Sequence, residues 1–240
     1  MDWNKCKRRS KAFLVFAAAA FLWMTGVGGA FADTLQLTGG GSSYGTFTYS
    51  DTNVNENIYV GPYTVNVNGT PTNLICDDYA TSISTSTPPW TANANTFSQL
   101  SQMKFYGNTS FGNNASTPAQ AYEEVFYLSA QMELLNNPNS NSIAAIHYAI
   151  WEIMTPAAQL SAIANAAPAA TASWLAAATA NYASVNTSDF LVYTPNPANA
   201  SQEFIEVINP QNATVPVPPS LLLLGTGLLG IVGLRRRPRK

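Results

Sequence analysis

The chain has 240 residues, 46% of them hydrophobic and 10% charged, with a formal net charge of −2. That balance averages two basic ends with an acidic middle, because residues 33–206 carry twelve Asp and Glu against a single cation, Lys104. An acidic middle excludes the basic footprint of a nucleic-acid binder, and one His with two Cys excludes both a disulfide framework and a zinc site of about four His/Cys ligands.

Residues 1–32 read as a secretory signal. Lys5 to Lys11 form its positive region, Ala12 to Val27 its apolar region, and Ala30-Phe31-Ala32 a small-x-small cleavage site. Cys6 lies ahead of the apolar region and leaves with it, so Cys76 is the one thiol of the exported chain. An exported chain with one thiol has no internal disulfide to hold it together.

Residues 33–115 are rich in Gly, Ser, Thr and Asn, with alternating apolar positions. Gly45 to Ser50 and Ile58 to Val67 are predicted strands, the latter with Tyr63, Val65 and Val67 on one face. Asn68-Gly69 is a hairpin signal, and Asn73 to Tyr79 is the returning strand. Residues 81–115 read as a long surface connection from which Phe97, Leu100, Met103 and Phe105 turn inward.

The period becomes helical at residue 117. Thr117-Pro118-Ala119-Gln120 supplies an N-cap, a first-turn proline and a capping-box Gln. Tyr122, Val125, Phe126, Ser129, Met132 and Leu135 then line one face, with Glu123, Glu124 and Gln131 predicted to point away. A second helix carries Ile143, Ile146, His147, Ile150, Trp151 and Met154 on one stripe and stops at Pro156. A third, Ala-rich helix is expected over 168–183, around Trp174 and Leu175. Asp189 to Thr194 and Glu203 to Ile208 read as closing strands. Strands, then helices, then strands predict an α+β fold: a β-rich N-terminal part, a helical middle and closing strands in one ectodomain, residues 33–209.

Residues 210–240 read as a tail. Pro216-Val217-Pro218-Pro219-Ser220 precedes an apolar stretch, residues 221–234, and then Arg235-Arg236-Arg237-Pro238-Arg239-Lys240. Fourteen residues of helix reach roughly 21 Å, short of a core about 30 Å thick. The cations that follow nonetheless mark a stop-transfer end that stays inside. The expectation is one C-terminal transmembrane helix in the inner membrane. The Pro-x-Pro-Ser motif, Leu/Gly-rich segment and Arg-rich terminus resemble the PEP-CTERM sorting signal, with Val217 where that signal usually has Glu. The resemblance implies export, an exosortase-type processing enzyme as partner, and release or attachment at the cell surface beside exopolysaccharide.

Two further patches carry a resemblance. Cys76 lies in Leu74-Ile75-Cys76-Asp77-Asp78-Tyr79, and the sole histidine in Ile146-His147-Tyr148-Ala149-Ile150-Trp151. They resemble the thioester-domain class, in which a strand Cys bonds to a Gln in a Thr-Gln-x-Ala-Ile-Trp helix. The Cys maps onto Cys76 and the Gln onto His147, which cannot form a thioester. A Cys–His pair can act as nucleophile and base, with Asp77 or Asp78 orienting the imidazole. The apolar stripe around His147 favours the alternative, a buried histidine bonded to main chain beside a buried, inert thiol.

Asp77 and Asp78, with Asp51 and Glu56, are candidate calcium ligands without a twelve-residue loop pattern; a solvated strand edge is the preferred reading. Gly39-Gly40-Gly41 precedes neither helix nor Lys and makes no phosphate loop. Tyr44, Tyr49, Trp90 and Tyr106 are candidate sugar-stacking aromatics. The expectation is a secreted or surface-anchored, non-enzymatic envelope or matrix protein without cofactor or bound metal, with exopolysaccharide as its candidate ligand. The alternative is an acyl-transfer or hydrolase enzyme built on Cys76 and His147.

Overall fold

A computed structural model describes residues 32–48, 55–135, 140–155 and 168–210. Six strands, β1 (Asp33–Thr48), β2 (Asn55–Val67), β3 (Thr70–Cys76), β4 (Trp90–Asn95), β5 (Phe190–Pro195) and β6 (Phe204–Val207), close into an antiparallel barrel in the order β1-β2-β3-β6-β5-β4. Three helices, α1 (Pro118–Glu133), α2 (Ser140–Met154) and α3 (Pro168–Asn181), stand between β4 and β5 in the chain. They pack on one another, α2 against β1 and β2, α1 against β6. The α+β class is as expected.

The hairpin forms where the sequence places it. Asn68 and Gly69 both take positive φ, 51° and 84°, which is the two-residue turn geometry that matches strand twist. Val67 faces Thr70 across it, and the register runs on to Tyr63 opposite Leu74. The first strand is longer than Gly45 to Ser50 suggests. It begins at Asp33, and its pairing with β2 shifts register between Leu37 and Gly39, Gly39 and Gly41, and Gly41 and Ser43. Gly39-Gly40-Gly41 thus serves to absorb bulges in a long bent strand.

The segment 81–115 holds β4, which the sequence reading treated as surface connection. Trp-Thr-Ala-Asn-Ala-Asn has low β-propensity and only small apolar residues after Trp90, so its alternation is faint. It nevertheless sits between β1 and β5 and is needed to close the barrel. Met103 and Phe105 are buried, and Phe97 and Leu100 pack against the core.

α1 starts as predicted, with Thr117 Oγ1 accepting from the Gln120 N–H at 3.1 Å. The Gln120 side chain reaches one residue further back, accepting from the Ser116 N–H at 3.0 Å. Glu124 and Gln131, expected to face away, are buried. The outer face of α1 is covered: Asn113 Nδ2 bridges Glu124 Oε2 at 2.8 Å to the Leu175 carbonyl and the Thr179 hydroxyl of α3. On its inner face Phe126 stacks on Phe190 of β5, centroids 4.5 Å apart and planes 4° from parallel. No helix among the described residues is long and apolar enough to cross a membrane. The expected span 221–234, and residues 1–31 of the expected signal, lie outside the described residues. Phe126→Ala removes the stacked, fully buried ring that fixes α1 to the barrel, and should cost roughly 3–5 kcal/mol in urea unfolding.

Candidate functional site

Of the four residues that the sequence singles out for chemistry, Cys76, Asp77 and Asp78 lie at the end of β3 and His147 meets them at the Cys76 carbonyl, with neither Asp side chain orienting the imidazole. β3 ends at Cys76, and the chain continues buried through Asp77, Asp78 and Tyr79, all within 9% exposure. α2 lays its apolar stripe against this stretch and places His147 there, fully buried. The His147 Nε2–H donates to the Cys76 carbonyl at 2.8 Å, and Nδ1 accepts from the Gly61 N–H at 2.6 Å. That second bond fixes the tautomer, because Nδ1 cannot accept and carry a proton together. Gly61 is held at φ 96°, and a Cβ there would stand 2.4 Å from Ser42 Oγ and 2.7 Å from Ile143. Only glycine presents its N–H at this point.

His147 therefore reaches Cys76 through the main chain and not through the thiol. The thiol donates to the Asp78 carbonyl at 3.3 Å. Burial pushes it well above the ordinary thiol range, Asp78 and Asp77 add to that, and contacts with the Asp78 main chain and Trp151 offset only part of the rise. Burial drives His147 the other way, from 6.5 to about 3, against the opposing bond to Cys76. Trp151 packs on the imidazole with centroids 4.1 Å apart, and Tyr63 meets it edge-on at 6.0 Å.

Asp77 and Asp78 correct the expectation of a solvated edge. Both have no exposed surface, because the chain turns inward after β3 and is covered by residues 201–204 and by Lys104. Asp78 Oδ2 is ion-paired with Lys104 Nζ, and its Oδ1 accepts from the Thr81 N–H at 3.2 Å. Neither carboxyl oxygen of Asp77 takes a hydrogen bond from another described residue. Burial, then Glu203, then Asp78 raise Asp77 well above the usual carboxylate range. Glu203, also fully buried, accepts from Tyr122 at 2.5 Å, Thr194 at 2.5 Å and the Lys104 N–H at 2.8 Å. Lys104 and Glu203 were not among the sequence candidates. A lone cation among twelve acids was the available signal, since a buried carboxylate has no other side chain to pair with. Among the described residues no cluster of three His, Cys, Asp or Glu has metal-holding geometry. Asp51 lies outside them, as does the side chain of Glu56.

Beside this cluster opens a cavity of about 350 Å³. Tyr59, Tyr63, Tyr79 and Trp151 give it aromatic walls, and Thr81, Ser82, Ser84, Thr85 and Gln202 line it with hydroxyl and amide groups. Tyr59 is 44% exposed at its mouth. Of the sequence's sugar-stacking candidates, Trp90 is buried against Phe204 and Tyr106 is exposed elsewhere. Tyr49 and the side chain of Tyr44 lie outside the described residues.

Residues 214–237 match the PEP-CTERM protein-sorting motif. The chain carries an exosortase sorting signal. The matched stretch contains Pro216, Val217, Pro218, Ser220, Arg235, Arg236 and Arg237, all outside the described residues, and it supports an exosortase-sorted protein of the cell surface or the medium. No curated protein and no solved structure matches the chain.

The His147 bridge sets a pH dependence. The unfolded chain takes up a proton below about pH 6.5 that the folded state refuses until about pH 3. The histidine's contribution to stability is complete above that window and falls by about 1.4 kcal/mol per pH unit through it. The stability difference between wild type and His147→Gln should shrink at that rate as urea titrations move down from pH 6.5, and stay level above it. A difference that is constant with pH would contradict the buried neutral imidazole.

Proposed function

We propose that this exported chain works by binding, as a non-enzymatic envelope or extracellular-matrix protein whose cavity takes a segment of exopolysaccharide. The observation that carries the reading is the commitment of both His147 nitrogens to main chain. A histidine so held has no lone pair to offer a thiol, and a thiol pushed upward by burial is a poor nucleophile at neutral pH. The cavity supports the ligand class: aromatic faces suit the apolar side of a sugar ring, and hydroxyl and amide groups suit its polyol edge. The sorting motif supports the setting, since it directs the chain to the surface where such polymers lie.

The thioester-domain likeness belongs to the same reading. It is supported by the contact between Cys76 at the end of β3 and His147 in the Ala-Ile-Trp helix, the juxtaposition in which that class joins Cys to Gln. With His147 there, the scaffold keeps the approach and lacks the bond-forming amide. The inner-membrane anchor at 221–234 and exosortase processing near Pro216 to Ser220 complete the proposed route to the surface.

Tyr59→Ala should weaken binding of exopolysaccharide fragments by roughly 5- to 10-fold in calorimetric titration, through lost stacking at the mouth. Cys76→Ala should leave that affinity unchanged, and iodoacetamide should label Cys76 only after denaturation. Rapid labelling of the native thiol at neutral pH would favour the Cys76/His147 hydrolase instead.

A further inference from the structure

Lys104 is the sole lysine or arginine between Lys11 and Arg235, and it is turned into the protein. Its Nζ contacts Asp78 Oδ2, with the two side chains 15% and 0% exposed, and also lies 2.9 Å from Thr81 Oγ1 and 3.1 Å from the Ser201 carbonyl. A neutral amine has two N–H donors and one lone pair. Here two acceptors, Thr81 and Ser201, are placed for the donors, and the third direction points at a carboxyl group. Two further acids complete the cluster: Asp77, buried with both oxygens free of hydrogen bonds from other residues, and Glu203, fixed by Tyr122 and Thr194.

We propose that Lys104 and Asp78 condense into an intramolecular amide that ties the end of β3 to the segment before α1. Proton transfer within the contact pair converts ammonium and carboxylate to amine and carboxylic acid, the two forms that can condense. The amine nitrogen attacks Asp78 Cγ, the N–C bond forms, one C–O bond breaks, and the departing oxygen leaves as water with the protons released. Nothing is oxidised or reduced. Asp77, next to Asp78 in the chain, is fully buried with neither carboxyl oxygen hydrogen-bonded by another described residue, and serves as the proton carrier for that departure. The Asp78 side chain is fully buried and that of Lys104 15% exposed, which shields the amide carbonyl from attack by bulk water. The link spans 26 residues of sequence and fastens the Thr/Ser segment that lines the cavity, with no disulfide among the described residues. This inference is independent of what the cavity binds.

The lone lysine makes the test direct. The full chain, purified after export, should have an intact mass short of its own sequence mass by one water. Denatured in urea, it should resist trypsin at Lys104 and yield a branched fragment joining Asp78 to Lys104. Asp78→Asn should lose one ammonia in place of water, and Lys104→Arg should show full mass with cleavage at residue 104. A wild-type chain of full mass, cut by trypsin at Lys104 once denatured, would overturn the proposal and leave a buried ion pair only. A chain short by one water yet still cut at Lys104 would overturn it too, by placing the loss in a cyclised aspartate.

Discussion

The imidazole of His147 is hydrogen-bonded on both sides to main chain, to Gly61 of β2 and to Cys76 of β3, and the placement of everything around the cavity follows from it. β2 and β3 are paired through Tyr63 opposite Leu74 and diverge beyond that point. The ring fills the divergence and satisfies a donor and an acceptor that a sheet ladder would otherwise have paired. It stays neutral to do so, because an imidazolium has no acceptor to offer Gly61. Trp151 packs on the fixed ring and Tyr79 packs on Trp151 at 5.2 Å, and Trp151 and Tyr79 in turn line the cavity.

A second constraint lies one residue further along. Three carboxyl groups, Asp77 and Asp78 just after β3 and Glu203 just before β6, are buried in a domain with one cation to give them. The protein distributes the problem: Lys104 faces Asp78, hydroxyl and amide donors hold Glu203, and burial pushes the Asp77 carboxyl well above the usual carboxylate range. Such a cluster contributes little to net stability, since buried ion pairs seldom exceed their desolvation cost. What it supplies is fixed geometry at the edge of the cavity, where Gln202 also bonds the Asp78 carbonyl at 3.1 Å.

Much of the fold was legible because local signals agreed with tertiary packing. The Asn68-Gly69 turn, the Thr117 cap, the stripe of α2 and the closing strands β5 and β6 each carry their own period or turn chemistry. β4 was hidden because alanine and asparagine write a faint alternation, and its role depends on neighbours distant in sequence. Glu124 and the Asp77-Asp78 pair look like solvated residues by type; their burial depends on α3, Lys104 and Glu203, which no local pattern brings near. The burial of His147 could be read from its stripe, whereas its bond to Gly61 could not, since it depends on a positive φ elsewhere in the chain.

The sorting signal and the folded domain are separate parts of one chain: a terminal motif at residues 214–237, and a barrel domain packed around a histidine bonded on both sides to main chain. The most direct test is the protonation state of that ring in the folded protein, read from a long-range proton–nitrogen correlation spectrum at about pH 5, below the ordinary histidine value. A neutral imidazole with its proton on Nε2 and an unprotonated, hydrogen-bonded Nδ1 is the expected result. Protonation of both nitrogens, or a proton on Nδ1, would contradict the main-chain bridge and reopen His147 as a base for Cys76.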